Sequence, residues 1–516
     1  MQPWAQIALQ TSAAYQQLVN ALNNCAARQR QQLLHILSSN ANTHFGREYA
    51  FDSLHSIDQF RNKVPLHHYD QLAAKIQQQL QGQHSLLAEP VHHAEYTSGS
   101  SGAAKIIPYS KHSLQLFQAA IHPWLHDLAR HYPQLADSYF AISPAGRPAT
   151  INAQGISIGA SSDALYFGHL LSAPLSIISV LPEQIAQLSD IRQWQYITLL
   201  YLLHTDKLTL LSVWSPTFIN TLLAQLPHFA EQLIADIHNG TQTQLVPDTR
   251  LPAAPQRARI VAKALSGHYP DTALLWPDLQ LISCWTHAGA ARFIPRLQQL
   301  FAHTQIQGKG LLCTEGVVSI PLSNYRYPVL AVNSGFYEFL DDDKNSYLAH
   351  ELKAGAEYEV IMTVPGLYRY RTGDRIKAHQ LAGSAPQLEF IGRGTLVSDL
   401  VGEKLSDAFV TRCLQHIDGF AMLAPSLAPM PHYCLFIEQH IGIEAEQVEQ
   451  ALAQNPHYAY ARQLGQLSPL VLIAVTRPLL RYQQWALQQG LRPGDIKPPS
   501  LSTETDWESR MDKHTI

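Results

Sequence analysis

From residue 138 to residue 391 short apolar runs alternate with longer helical ones, and that alternation constrains the fold more than any other feature. Strand-like pieces are expected at residues 138–143, 175–181, 208–214, 279–284, 310–313, 336–340, 358–364 and 388–391, and helical pieces at 182–203, 216–238 and 288–301. Such interleaving implies α/β layers with parallel strands in at least part of a sheet. Upstream, residues 5–37 read as one helix, with leucines among Gln, Ala and Asn and neither Pro nor Gly. Ser56 caps a second helix start, Pro65 marks a break, and residues 71–80 form a Gln-rich, solvated helix. Residues 241–256, with three prolines, read as a surface loop. The glycines of Gly392-Arg393-Gly394 suit a hinge, and the roughly 120 residues beyond suffice for a small domain. At 516 residues the chain outgrows one core. The expected fold class is α/β: a large N-terminal domain (1–392) of mixed and parallel sheets flanked by helices, and a mobile α+β C-terminal domain (393–516).

One loop in this frame is built for anions. Residues 96–105, Tyr-Thr-Ser-Gly-Ser-Ser-Gly-Ala-Ala-Lys, bring Ser98, Gly99, Ser100, Ser101 and Gly102 onto Lys105. Small residues let backbone N–H groups approach phosphate oxygens, while hydroxyls and an ammonium add charge-assisted hydrogen bonds. It is not a Walker loop: two residues separate Gly99 from Gly102, and Ile106 follows the lysine. Taken alone, it is equally a turn or linker.

Four further segments follow in order. Trp285-Thr286-His287-Ala288-Gly289 succeeds a strand and leaves room for a flat ring. Thr314-Glu315-Gly316 succeeds another; its carboxylate suits Mg²⁺, which takes oxygen ligands. Tyr370-Arg371-Thr372-Gly373-Asp374 places a carboxylate on a tight turn, where its oxygens can accept both hydroxyls of a ribose. Arg393 and Lys404 add positive charge at and beyond the hinge. Each has a plainer counterpart: Glu315 as a helix cap, Asp374 with Arg371 as a surface pair, Lys404 as a solvated turn. Their joint occurrence around the Ser/Gly/Lys loop favours a site.

Composition closes other routes. The net charge of −4, from 36 basic and 40 acidic residues, gives no case for nucleic acid or an anionic membrane as partner. Five scattered cysteines without CxxC spacing fit reduced thiols. With no signal peptide evident, the cytoplasm is the expected compartment. The adjacent pairs His67-His68 and His92-His93 point apart and make poor metal ligands.

The order of motifs resembles the adenylate-forming superfamily of acyl-CoA synthetases and luciferases. Within it the chain most resembles the Gretchen Hagen three acyl acid amido synthetases. The likeness runs from residues 42–69, through the loop ending at Lys105 and the Trp276-Pro277-Asp278-Leu279 stretch, to the Tyr370–Asp374 motif and Ile496-Lys497-Pro498-Pro499. Its second motif reads Cys313-Thr314-Glu315 where Ser-Ser-Glu is usual, and Glu403-Lys404-Leu405 replaces Asp-Lys-Thr. Composition rich in Gln and His leans toward a bacterial member.

The resemblance implies ATP and Mg²⁺ as cofactors, and a small carboxylic acid and an amino acid as substrates. The acid, aryl or indole in type, is adenylated with loss of pyrophosphate; an amine then displaces AMP. It assigns Ser98, Ser100, Ser101 and Lys105 to the phosphates, Glu315 to Mg²⁺ and Asp374 to the ribose. Trp285, Thr286 and Gly289 fall near the adenine or acyl pocket, and Thr314 and Tyr370 belong to the nucleotide-binding set. Arg393 and Lys404 engage phosphate or ribose, and Lys497 arrives when the C-terminal domain closes. Residues 111–124 and 156–167 are expected to line the acyl pocket. His287 is a candidate base by proximity only. An acyl-CoA ligase and a non-catalytic nucleotide or acid sensor remain the alternatives.

Overall fold

The computed structural model describes residues 2–97, 105–132, 135, 139–141, 150–159, 164–188, 190–241, 250–394, 396–491 and 493–511. Two sheets set the frame of the larger N-terminal part. One has four parallel strands in the order Tyr139–Ala141, Leu210–Ser212, Leu281–Cys284, Gln305–Gly308. Leu281–Cys284 is buried throughout, as a strand covered on both faces must be. The other is an antiparallel seven-stranded sheet built around one long hairpin, Leu367–Ala382 and Ala385–Arg393, with Glu357–Val364 against its first arm. A third, mixed sheet pairs His93–Tyr96 with Ile106–Tyr109. A smaller C-terminal part carries the three-stranded sheet Ala421–Ser426, His432–Glu438, Val471–Val475, with one apolar cluster of its own and a second that also takes in Phe293 of the larger part.

The helix expected over residues 5–37 is two, Pro3–Asn23 and Cys25–Ser39, because Asn24 leaves helical geometry at φ −130° and ψ 43°. The stretch 216–238 likewise divides into Pro216–Leu223 and Leu226–Asn239, with Pro227 in the first turn of the second. Residues 182–203 and 288–301 each begin as a short 3₁₀ turn before their helix. The strand expected at 175–181 is instead the end of the helix His169–Ile178. Leu171, Leu175 and Ile178 are buried at helical spacing while Ile177 faces out, and a short apolar run does not separate the two periods by itself. Ser56 does cap its helix, accepting from the Gln59 amide.

Candidate active site

Thr314 and Glu315 form the two-residue turn of a small hairpin closed by Cys313 and Gly316. Glu315 Oε1 accepts from the Tyr370 hydroxyl at 3.4 Å. Asp374 does not sit on a tight turn: it lies within the long strand, almost wholly buried, directly across the hairpin from Arg393. Arg393 Nε donates to Asp374 Oδ1 at 3.2 Å. The plainer alternative, a surface pair between Asp374 and Arg371, is not what forms: Arg371 instead grips Glu359 with two hydrogen bonds of 2.5 and 2.8 Å.

These groups feel one another electrostatically. Asp374, aided by Glu315, holds the Arg393 guanidinium above its ordinary value against the effect of burial. Burial first, then Glu315, pushes the Tyr370 phenol up. Burial, Glu315 and Asp374 do the same to the Cys313 thiol. Glu315 itself has no cationic partner within 4.0 Å among the described residues and a single long hydrogen bond. Its oxygens are therefore available to a hard cation, so the residue fits Mg²⁺.

Lys105 opens the strand facing this turn. Its carbonyl accepts from the Thr97 amide at 2.8 Å, and its ammonium lies 5.5 Å from the centre of the Tyr69 ring. The Tyr69 phenol is raised chiefly by burial, with Glu315 contributing. Ser98, Gly99, Ser100, Ser101 and Gly102 lie outside the described residues. Tyr109, on the same strand, donates to the Thr314 carbonyl. A cavity beside Glu315 is lined by Tyr109, Ser113, Leu116, Phe117 and Val317. The Phe117 and Tyr166 rings meet at 4.8 Å, so the described parts of the segments 111–124 and 156–167 come together there; residues 160–163 lie outside the described residues.

Trp285 follows the Leu281–Cys284 strand and packs on Trp214 with ring centres 5.6 Å apart. Thr286 fills the space that a side chain on Gly308 would take: a Cβ there would sit 2.3 Å from its Oγ1. Gly289 faces the C-terminal segment, where the Pro498 carbonyl and Ser500 Oγ stand 3.4 and 3.6 Å from an added Cβ. Lys497 lies over Trp285, its Nζ 3.4 Å from the ring centre. Lys404 is exposed at φ 47°, in the turn before Leu405–Ser406, while its neighbour Glu403 is buried and accepts from the Leu400 and Val401 amides. His287 stacks near Tyr327, which lies flat on His379; burial pushes His287 down, and Glu389 opposes that.

One residue escaped the sequence reading. Lys309 stands between Trp124 and Trp214, 4.8 and 5.3 Å from their ring centres, and donates to Ser212 Oγ at 2.8 Å. Its signal was Gly308-Lys309-Gly310 at the carboxyl end of a parallel strand, where open α/β sheets bind ligands.

The sequence model of the GH3 family N-terminal domain matches residues 14–306, more than half of the chain, and that of the GH3 family central domain matches residues 328–393. The chain belongs to the GH3 family. Among curated relatives, the indole-3-acetic acid-amido synthetase GH3.17 of Arabidopsis thaliana is 24% identical over 83% of this GH3 chain and 80% of its own length. The jasmonoyl–L-amino acid synthetase GH3.5 of Oryza sativa subsp. japonica is 25% identical, over 77% and 76%. The solved structure of the AtGH3.15 acyl acid amido synthetase in complex with 2,4-DB superposes with a TM-score of 0.85 at 19% identity, covering 96% of this GH3 chain and 95% of its own. A 2-hydroxyisobutyryl-CoA ligase in the postadenylation state shares the fold more distantly, with a TM-score of 0.53 at 10% identity over 93% and 89%. Among the described residues, no helix of this GH3 protein is long and apolar enough to cross a membrane.

Proposed function

We propose that this GH3 ligase uses ATP to adenylate a carboxylic acid and then transfers the acyl group to the amine of an amino acid, releasing pyrophosphate and AMP. The observation that carries the reading is the convergence of Glu315, Tyr370, Asp374 and Arg393, from two hairpins far apart in sequence, into one charged cluster. The first step must join two anions, carboxylate and triphosphate, so positive charge has to gather at phosphorus. Lys105 supplies part of it, and Arg393, fixed by Asp374, supplies more. Bound Mg²⁺, held by Glu315, would neutralise phosphate charge. Asp374 takes the ribose hydroxyls. Lys497, on Trp285, lies on the C-terminal segment docked against Gly289 and acts when that part is closed. The boundary near residue 392 makes the C-terminal part the element that moves.

Trp124, Trp214 and Trp285, gathered at the ends of the parallel strands, favour a flat aromatic acid of aryl or indole type. Five free cysteines favour a reducing cytoplasm. The test is product mass spectrometry on purified protein given ATP, Mg²⁺, a library of aryl, indole and fatty acids, and either amino acids or CoA. AMP with an acyl-amino acid is expected. AMP with an acyl-CoA instead would move the protein to thioester formation, and no AMP with any acid would overturn the reading.

A further inference from the structure

The C-terminal part holds a second set of ligating side chains, unrelated to the cluster around Glu315. His432 and Cys434 are two apart on the strand His432–Glu438 and so leave the same face of its sheet. The short helix Trp507–Met511 covers that face and sends Glu508 back toward them. Their ligand atoms, an imidazole nitrogen, a thiol sulfur and a carboxylate oxygen, lie within 4.8 Å of one another. We propose that His432, Cys434 and Glu508 bind a divalent transition-metal ion of the Zn²⁺ class.

Three features of the geometry carry this. Cys434 Sγ and His432 Nε2 are 3.5 Å apart. In a tetrahedral zinc site, with Zn–N near 2.0–2.1 Å and Zn–S near 2.3 Å, nitrogen and sulfur stand about 3.5 Å from each other. The imidazole is also oriented as a ligand, because Nδ1 lies 2.8 Å from the Met430 carbonyl and donates to it, which leaves the Nε2 lone pair facing the thiol. The carboxylate is held too, since Ser426, the cross-strand partner of His432, donates to Glu508 Oε1 at 2.6 Å.

The donor set selects the metal class. A thiolate and an imidazole are too soft for Mg²⁺ or Ca²⁺, whereas a mixed N, S, O set suits Zn²⁺. Cys434 and His432 are buried and Glu508 is exposed, which gives an ion a way in and leaves the fourth position to water. Binding releases the thiol proton to solvent and forms the sulfur–metal bond in its place. The ion would join the last described helix to the central strand of the sheet, and a ligand bound by the native state alone stabilises it by mass action.

The test uses the full-length protein, stripped with a chelator and titrated with Co²⁺ and then Zn²⁺. Expected are one Co²⁺ per chain with a near-ultraviolet sulfur-to-cobalt charge-transfer band, its displacement by Zn²⁺, and a Zn²⁺-dependent rise in Tm. Cys434→Ser should abolish the band, and His432→Ala and Glu508→Gln should each weaken binding by at least about tenfold. Glu508→Gln, on an exposed position, keeps the test valid if the buried variants do not fold. No band in the wild type would show only a thiol–imidazole hydrogen bond and overturn the proposal, as would a band that persists in Cys434→Ser.

Discussion

Asp374 illustrates how a residue's sequence context can reveal its importance while hiding its partner. The Tyr370–Asp374 motif stood out in the sequence, but the adjacent Arg371 was the obvious counter-charge. The structure gives that role to Arg393, nineteen residues on, because the hairpin register sets the two opposite each other. Register depends on pairing along a whole strand, so no local reading supplies it. Lys309 was missed for a related reason: its two tryptophans come from a helix and a strand end distant in sequence. Replacing Asp374 by Ala removes the proposed ribose acceptor and leaves Arg393 without its carboxylate. Both Asp374→Ala and Lys105→Ala should lower kcat/KM by roughly 100- to 1,000-fold, the effect of losing one group that stabilises transition-state charge. Unchanged turnover in both would refute the assignment. A pH effect belongs to this scale as well. Burial pushes His67, His112, His122 and His287 below the ordinary histidine value of 6.5. Below that pH the unfolded chain takes up protons that the native state refuses, so stability is full above it and falls as acid is added. Tm should decline from pH 7 to pH 5.5, and less steeply in His112→Asn; a flat profile in the wild type would contradict this.

Among the elements, those with an unambiguous period were legible and those with a short apolar run were not. The strand at 358–364 was recognisable because β-branched and aromatic residues fill it; it is buried along nearly its whole length. The helix end at 175–178 reads as strand because Ile177, Ile178 and Val180 carry the same β-branched bias, while the burial of Leu171, Leu175 and Ile178 follows the helical period. What holds the functional hairpin in place was also invisible from sequence. Arg369, just before Tyr370 and at φ 45°, sends its guanidinium inward. It binds both oxygens of Glu338 at 3.0 Å and donates to the Arg61 and Val64 carbonyls at 2.9 Å. Arg61 joins the same carboxylate at 2.8 Å. This network ties the hairpin to the strand Phe336–Leu340 and to the N-terminal helices. Glu338→Ala should cost about 3–5 kcal/mol, because it leaves two guanidinium groups partly desolvated with no opposing charge. Denaturant unfolding followed by circular dichroism would read the loss; a change below about 1 kcal/mol would show that water replaces the carboxylate.

At the scale of the molecule, the glycine pair at 392–394 is visible in the sequence and the resemblance implies the return of Lys497, whereas its docking partners Trp285 and Gly289 are not legible, since they lie some two hundred residues away. Gly392 is required where it stands: it has φ 137°, and a Cβ would lie 2.9 Å from the Ala408 Cα. Beyond it, Asp407 accepts from the Ser500 and Leu501 amides at 3.1 and 3.0 Å and so anchors the segment that carries Lys497. Arg292 is buried where the two parts meet. Its carbonyl accepts from the Gly419 amide, and none of its three side-chain nitrogens has a hydrogen-bond partner among the described residues. Burial pushes the guanidinium down to about 10, with Asp407 the charge that opposes the shift. A buried cation satisfied only at a distance loses more hydration than it regains. The arrangement with the two parts in contact is therefore held by Lys497 on Trp285, by Gly289 against the Pro498–Ser500 segment and by the Gly419 amide on the Arg292 carbonyl, against a local electrostatic cost at the Arg292 side chain. Arg292→Met keeps much of the side-chain volume and removes the charge. It should raise stability by about 1–4 kcal/mol, seen as a higher denaturant midpoint with the native circular dichroism spectrum retained. A lower midpoint would mean that the guanidinium is stabilising, and that this contact between the two parts depends on it.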